Sequence, residues 1–261
     1  MEIPALVASD LDGTLLHTDN TVSARTLGVL DMLAGKEIPF VMVTGRPMRW
    51  VPPVLEYTGA RGVVVCSNGA VIWDPESDRV LSNQPLTPEL MAEVVWRLRD
   101  EYEGVAFAAE TATGLRHERT YQVREIGASV RPGELAEVIA EPAIKLLVRL
   151  DGAHNGEFTD ALTASLAGLV EVTRSGDELV EISASGVTKA TGLAWVAERL
   201  GVAADAITAF GDMPNDLPMF AYVGHSVAMA NAEPAIRTAA DAVTAANDDD
   251  GVAVYLESLL S

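Results

Sequence analysis

The sequence predicts an α/β fold, with a parallel-sheet core interrupted by a second, inserted domain of α+β type. Apolar runs of strand length recur at Ala5 to Ala8, Pro39 to Val43, Val63 to Cys66, Ile207 to Phe210 and Ser226 to Met229. Helical patterns lie between several of them, and nearly continuous apolar strands alternating with helices mark a parallel sheet covered on both faces. Between the third and fourth runs the pattern changes to two-residue alternation with charges on one side, which suggests an antiparallel or mixed sheet with one wet face.

The first strand runs into "VASDLDGTLL" at 7 to 16 and so ends on Asp10 and Asp12. Ser23 then stands where an N-cap would, Leu27, Leu30 and Ala34 share a face, and Gly35 closes the helix. The second strand ends in "VTGRP", with Pro47 suited to the first turn of a following helix, and the third ends in "CSNG". After "VIWDPESDRVLSNQPLTP" comes an amphipathic helix with Leu90, Val94 and Leu98 in register. The alternating segments "VAFAAE", "LRHERTYQV", "AIKLLVRL", "LVEVTRS" and "ELVEIS" follow, with helical stretches around Leu135 and Leu162. These divide the chain into a core part at 1–81, an inserted domain at 82–186 and a second core part at 187–261, with linkers near Leu81 to Pro88 and Ser183 to Val187 where closure would hinge. Leu193, Val196, Ala197 and Leu200 repeat the helical spacing before Gly201, and the next strand ends in "AFGDMPND". The acidic run Asp248 to Asp250 reads as a solvated turn before the last helix.

Composition narrows the partners. At 261 residues the chain is long enough for two domains of ordinary size. Its formal charge of -20 argues against nucleic acid and anionic membrane, both of which require a basic face. No apolar run reaches about eighteen residues and no basic, apolar export signal opens the chain, so a soluble, cytoplasmic protein is expected. Cys66, the single cysteine, excludes an internal disulfide and reads as a small core residue rather than a nucleophile. Either a monomer or a homodimer fits.

In open parallel sheets, ligands collect at the carboxyl ends of the strands. Asp10 and Asp12 fall there, as do Thr44, Gly45 and Arg46 of "VTGRP", Asn68 of "CSNG", and Asp212, Asn215 and Asp216 of "GDMPND". Lys189 of "GVTKATGL" sits at a helix start. Carboxylates gathered alone would repel one another, and a hard divalent cation such as Mg²⁺ removes the conflict while keeping room for a phosphate oxygen. A phosphate bound there would meet Lys189, the amides around Thr44 and Gly45 and the Arg46 charge beside them, with Asn68 and Asn215 as further substrate-binding candidates. One Asp can then act as nucleophile, and a carboxyl two residues on can protonate the leaving oxygen and later deprotonate water. A calcium loop is the rival reading of "DxDG", but it wants an acid at the fifth position and glycine at the sixth, where Thr14 and Leu15 stand.

Together "DLDGTL" at 10 to 15, "TGR" at 44 to 46, Lys189 and "GDMPND" at 211 to 216 resemble the four motifs of the haloacid dehalogenase superfamily in their expected order. The insert between the second and third motifs, "SNGA" at 67 to 70 and the closing "VAMANAEPAIRTAADAVTAANDDDGVAVYL" are similar to its Cof-like sugar-phosphatase branch. The resemblance implies a Rossmann-like core with a large α/β cap, and a Mg²⁺-dependent phosphatase acting on small phosphorylated metabolites through an aspartyl phosphate. It makes Asp10 the nucleophile, Asp12 the general acid/base, and Thr44 and Lys189 the phosphoryl ligands. The metal would be held by Asp10, Asp212 and the Asp12 backbone carbonyl, with Asp216 and Asn215 in support. A sugar phosphomutase and a non-catalytic sugar-phosphate binding protein are the alternatives. In the inserted domain, Arg116, His117, Glu118, Arg119 and Arg124 form a charged stretch that can grip a substrate or simply face solvent. Trp50 is read as core more than cleft lining, and Glu181 as a weaker candidate for a substrate hydroxyl.

Overall fold

The computed structural model describes residues 3–59, 62–123, 129–153, 155–174 and 179–260. These form two compact units, Met1–Ser82 with Thr188–Ser261, and Asn83–Val187.

The first unit opens with β1 (Leu6–Ser9), α1 (Ala24–Gly35), β2 (Phe40–Val43), α2 (Pro52–Thr58), β3 (Val64–Cys66), β4 (Val71–Asp74) and β5 (Arg79–Asn83). In the second unit follow α3 (Pro88–Glu101), β6 (Ala106–Thr111), β7 (Gly114–Glu118), β8 (Val130–Gly133), α4 (Leu135–Val138), β9 (Ala143–Arg149), α5 (Asn155–Ser165), β10 (Val170–Arg174) and β11 (Val180–Ala184). The chain returns to the first unit with α6 (Lys189–Leu200), β12 (Ile207–Gly211), α7 (Leu217–Tyr222), β13 (His225–Ala228), α8 (Pro234–Ala239), β14 (Ala242–Val243) and α9 (Gly251–Leu260).

The eight-stranded sheet has the order β14-β13-β12-β1-β2-β3-β4-β5. Its pairs from β14 to β3 are parallel, and β4 turns back antiparallel on β3. Alternate side chains serve opposite faces. Leu6, Ala8, Val41, Val43 and Ala209 pack with Leu193, Val196 and Ala197 of α6, Met219 and Phe220 of α7, and Ile236 of α8. On the other face, Phe210 meets Tyr255 of α9 edge-on, with ring centroids 5.8 Å apart. Strands covered on both faces can be apolar throughout, which is why β1 and β12 contain only buried residues.

Several local expectations shift. Ser23 does cap α1, accepting from the Thr26 amide at 3.0 Å. The buried face of α1 is Thr26, Val29 and Leu33, while Ala34 is exposed and Gly35 is still helical; the left-handed residue is Glu37, at φ 57°. Leu200 is likewise exposed, although Gly201 closes α6 in the left-handed conformation as read. Pro47 does not start a helix: it precedes a 3₁₀ turn at Met48–Trp50, and α2 begins at Pro52 with a second proline beside it. Trp50 is not core but 43% exposed, under the Arg49 guanidinium. Ser183 lies within β11 and Leu81 within β5, so the connections between the units are shorter than the expected linkers. Cys66 is fully buried.

The six-stranded sheet of the second unit, β10-β11-β9-β6-β7-β8, is mixed, with only β7 and β8 parallel. One face packs Phe107, Ala109, Leu146, Val148 and Ile182 against Met91, Val94, Val95 and Leu98 of α3 and Phe158 and Leu162 of α5. The opposite face is not wet as expected. Ala106, Ala108, Leu115 and Tyr121 cluster there, and Lys145 and Glu181, both buried, pair at 2.6 Å. Charges survive in such a place because each finds its opposite.

Candidate active site

Four segments of the first unit meet at the carboxyl ends of β1, β2, β3 and β12, and each arrives for a local reason. After β1 the chain makes an irregular turn over Leu11–Leu15 that requires Gly13, at φ 73°. A Cβ on Gly13 would lie 2.4 Å from Asp212 Oδ2, so only glycine lets that carboxylate approach. Thr14 Oγ1 donates to the other oxygen of Asp212 at 2.7 Å. Asn231 Nδ2 donates to the Gly13 carbonyl at 2.8 Å, and Asn247 Nδ2 to that of Leu16 at 2.9 Å. The closing stretch of the chain thus braces the turn.

The loop after β2 is tied to the turn after β3. The Asn68 amide donates to the Thr44 carbonyl at 3.0 Å and the Ser67 amide to the Arg46 carbonyl at 2.9 Å. Thr44, fully buried, accepts from the Arg46 amide at 3.0 Å, with Gly45 half-buried between them. Ser67 and Asn68 are both left-handed, at φ 51° and 56°. Such backbone costs about 1–3 kcal/mol per residue and persists where surroundings hold it. Gly69 explains the cost: its Cα lies so near α6 that a Cβ would stand 2.2 Å from the Thr188 carbonyl oxygen, and this approach seats the start of α6 in the site.

Lys189, the first residue of α6, is 0% exposed. Its Nζ lies 2.6 Å from Asp216 Oδ1 and 2.9 Å from Asp10 Oδ2. Burial opposes its charge, but the Asp10 and Asp216 carboxylates outweigh it and raise the ammonium above its usual range. Asp10 accepts from the Leu11 amide at 2.7 Å through its other oxygen. Burial drives its carboxyl well above the usual carboxylate range; Lys189 opposes this, and Asp216 and Asp212 add to it. Asp216 is committed on both oxygens: Oδ2 accepts from the amides of Asp212 and Met213, each at 3.0 Å, within a 3₁₀ turn. Asn215 donates to Asn68 Oδ1 at 3.1 Å, and its own carboxamide oxygen is buried without a partner.

Asp10, Asp212 and Asp216 bring carboxylate oxygens within 4.8 Å of one another. Three carboxylates against one lysine leave negative charge in excess, and an all-oxygen donor set suits a hard divalent cation. Asp12 is not part of this group. Its side chain is 53% exposed and both its oxygens are taken by Arg46. Arg46 is therefore directed at a carboxylate, where sequence reading placed it on a phosphate.

Burial first, then the Asp216 charge, pushes the Asp212 carboxyl up to about 7. An unfolded Asp titrates near about 4, so between these values the native protein holds a proton that the unfolded chain releases. Stability of the metal-free protein is therefore expected to fall as pH rises from about 4 to 7, by an upper bound of about 4 kcal/mol. Urea unfolding at pH 5 and pH 8, with Asp212→Asn as reference, measures this; equal pH dependence in the two proteins would overturn it.

In the second unit the charged stretch is spent locally. Arg116 pairs with Glu141 at 2.6 Å, and His117 Nδ1 bonds the Glu118 carbonyl at 2.8 Å. Glu118 pairs with Arg99 and accepts from the Phe107 amide at 2.9 Å, and Arg119 lies 3.5 Å from Glu134. Arg124 lies outside the described residues. Sequence reading gave no role to Thr14, Ser67 or Asn231, although the quoted motifs contain them, and it passed over Asn20, which only its type as a turn residue hinted at.

Fold and site together define a carboxylate-centred hydrolase on a parallel-sheet core. The chain belongs to the haloacid dehalogenase-like hydrolases, the family that matches residues 7–256. It is 29% identical over 281 aligned positions to the 5-amino-6-(5-phospho-D-ribitylamino)uracil phosphatase YitU of Bacillus subtilis (strain 168), covering 99% of this chain and 98% of that protein. It is 28% identical to the HMP-PP phosphatase of Serratia proteamaculans (strain 568), across 89% of this chain and 86% of that protein. The crystal structure of SMU.1108c from Streptococcus mutans UA159 has the same fold, with a TM-score of 0.84 at 21% identity over 98% of this chain and 99% of that one. Among the described residues, no helix is long and apolar enough to cross a membrane.

Proposed function

We propose that this protein is a Mg²⁺-dependent phosphatase of the cytoplasm that hydrolyses small phosphorylated metabolites through an aspartyl phosphate on Asp10. The observation that carries the reading is the buried Lys189 ammonium between Asp10 and Asp216 at the strand ends. A permanent cation beside a carboxylate nucleophile offers a phosphoryl oxygen its counter-charge at the place where the bond must form. The relatives' names, both phosphatases, support the same class.

Asp10 attacks phosphorus, and Lys189 with the Thr44 hydroxyl and the Gly45 amide holds the phosphoryl oxygens. Asp12 gives a proton to the leaving oxygen and later takes one from the attacking water. Asp10 and Asp212 are the carboxylates freest to hold Mg²⁺, with Asp216 and Asn215 supporting from behind. When bound, the cation supplies charge neutralisation for the incoming phosphate. Asn68 Oδ1 anchors Asn215. In this reading the inserted unit, Asn83–Val187, is assigned the selection of substrate. No observation favours a phosphomutase or a binding protein without turnover.

Phosphate release from a panel of phosphorylated sugars, phosphorylated cofactors and p-nitrophenyl phosphate tests this, with Mg²⁺ or with chelator. Release that depends on Mg²⁺ is expected. Folded protein that releases none from any member in the presence of Mg²⁺ would refute the reading.

A further inference from the structure

Arg46 and Asp12 meet through two parallel hydrogen bonds, Nε to Oδ2 at 2.8 Å and Nη2 to Oδ1 at 2.5 Å. The same Nη2 donates to Asn20 Oδ1 at 2.6 Å. Exposed ion pairs usually contribute little, but this one is bidentate, its arginine side chain is only 17% exposed, and a third group fixes the guanidinium plane. Both supports are themselves pinned. Arg46 is held through its backbone by Thr44 and Ser67. Asn20 is left-handed, at φ 64°, in a turn closed by the His17 amide on the Thr21 carbonyl at 2.9 Å. That turn is fastened to the acidic run near the end of the chain: Thr18 donates to Asp248 at 2.8 and 2.7 Å, and His17 Nε2 lies 2.9 Å from Asp250 Oδ1. The run expected to be a solvated turn is an anchor.

We propose that Asn20 and Arg46 form a clamp that orients the Asp12 carboxylate, which makes both of them positioning residues for proton transfer to the leaving group and not phosphate ligands. The proposal rests on the phosphatase reading above. Each Asp12 oxygen keeps a second lone pair, so the carboxyl can still carry and release a proton while the fork fixes its plane. In the step concerned, an Asp10 oxygen forms its bond to phosphorus as the bond from phosphorus to the leaving oxygen breaks. The electron pair goes to that oxygen, and the Asp12 proton follows it. An alkoxide leaves only with that proton, whereas p-nitrophenolate leaves without it.

The test compares kcat/KM for p-nitrophenyl phosphate with that for the fastest alkyl phosphate of the panel, because this ratio reports the first bond cleavage. Arg46→Lys keeps a positive charge for any phosphate but loses the fork. Its kcat/KM for the alkyl phosphate is expected to fall about 30-fold or more, a part of the roughly 10²–10⁴-fold worth of a general acid, while the aryl value falls less than about 3-fold. Asn20→Gly, which tolerates the left-handed backbone and removes the amide, is expected to shift the same ratio about 5-fold. Equal losses on both substrates in Arg46→Lys would make Arg46 a phosphate ligand and overturn the clamp, as would no loss on either. Wild-type rates on both substrates in Asn20→Gly would remove Asn20 from it. Thermal unfolding of both variants separates these results from misfolding, and a wild-type protein without turnover would instead sink the phosphatase reading itself.

Discussion

Asp10→Asn is expected to abolish phosphate release, by about 10⁴-fold or more, in a protein that stays folded. The amide matches the carboxylate in size, and its one oxygen can still accept from the Leu11 amide or from Lys189, though not from both. What it lacks is the negative oxygen that would bond to phosphorus. The change also removes one of three neighbouring carboxylates whose burial and mutual repulsion hold Asp10 well above the usual range. That relief offsets the loss of one of the two carboxylate partners of Lys189, so the metal-free variant is expected to stay folded, and the pairing of a retained fold with lost turnover is the diagnostic result. Activity within tenfold of wild type would remove Asp10 from the chemistry.

Lys189→Met carries the largest expected effect on stability. Methionine has nearly the length of lysine and suits a buried site, so the loss is one of charge more than of packing. Asp10 and Asp216 would then lie buried without their cation, and breaking a buried pair in this way costs about 3–5 kcal/mol, a large share of the roughly 5–15 kcal/mol that holds a domain together. The pH dependence has a definite sign. In the wild type the raised lysine value keeps its contribution complete throughout the neutral range, because it is lost only at alkaline pH. In the variant Asp10, whose carboxyl burial already drives up, loses the Lys189 charge that opposed this and must take up a proton to stay buried, so the deficit should be greatest near pH 8 and shrink toward pH 5. Denaturant unfolding at both values measures it. A deficit below about 1 kcal/mol at pH 8 would mean that Lys189 does not compensate these carboxylates.

Much of this site was legible because parallel-sheet topology converts sequence into position. A polar residue just past an apolar strand lies at the rim where ligands collect, which places Asp10, Thr44, Asn68 and Asp212 without any knowledge of contacts. Lys189 followed from its place at a helix start ahead of the spacing of Leu193, Val196 and Ala197, and in the structure Thr188 caps that helix. What the sequence left open depended on partners distant in the chain. Arg46 reads as a phosphate ligand beside Thr44, yet its guanidinium finds Asp12, 34 positions away, and Asn20. Thr14 reads as the end of a motif, but its hydroxyl holds Asp212 across 198 positions. Pro47 suited a helix start by local geometry, and two further prolines at 52 and 53 moved that start downstream. The charged side of the second unit's sheet read as solvent-facing because alternation reports which residues share a face, not what covers it.

By itself, then, the sequence determined the alternation of strand and helix, the division into two units and the residue types at the strand ends, since these depend on the period of the apolar pattern and on local turn and cap chemistry. Only the tertiary structure decided which of those charges pair. Direction and distance between side chains far apart in the chain depend on how the sheet stacks its strands, and a difference of a few ångströms determines whether a guanidinium meets a phosphate or a carboxylate.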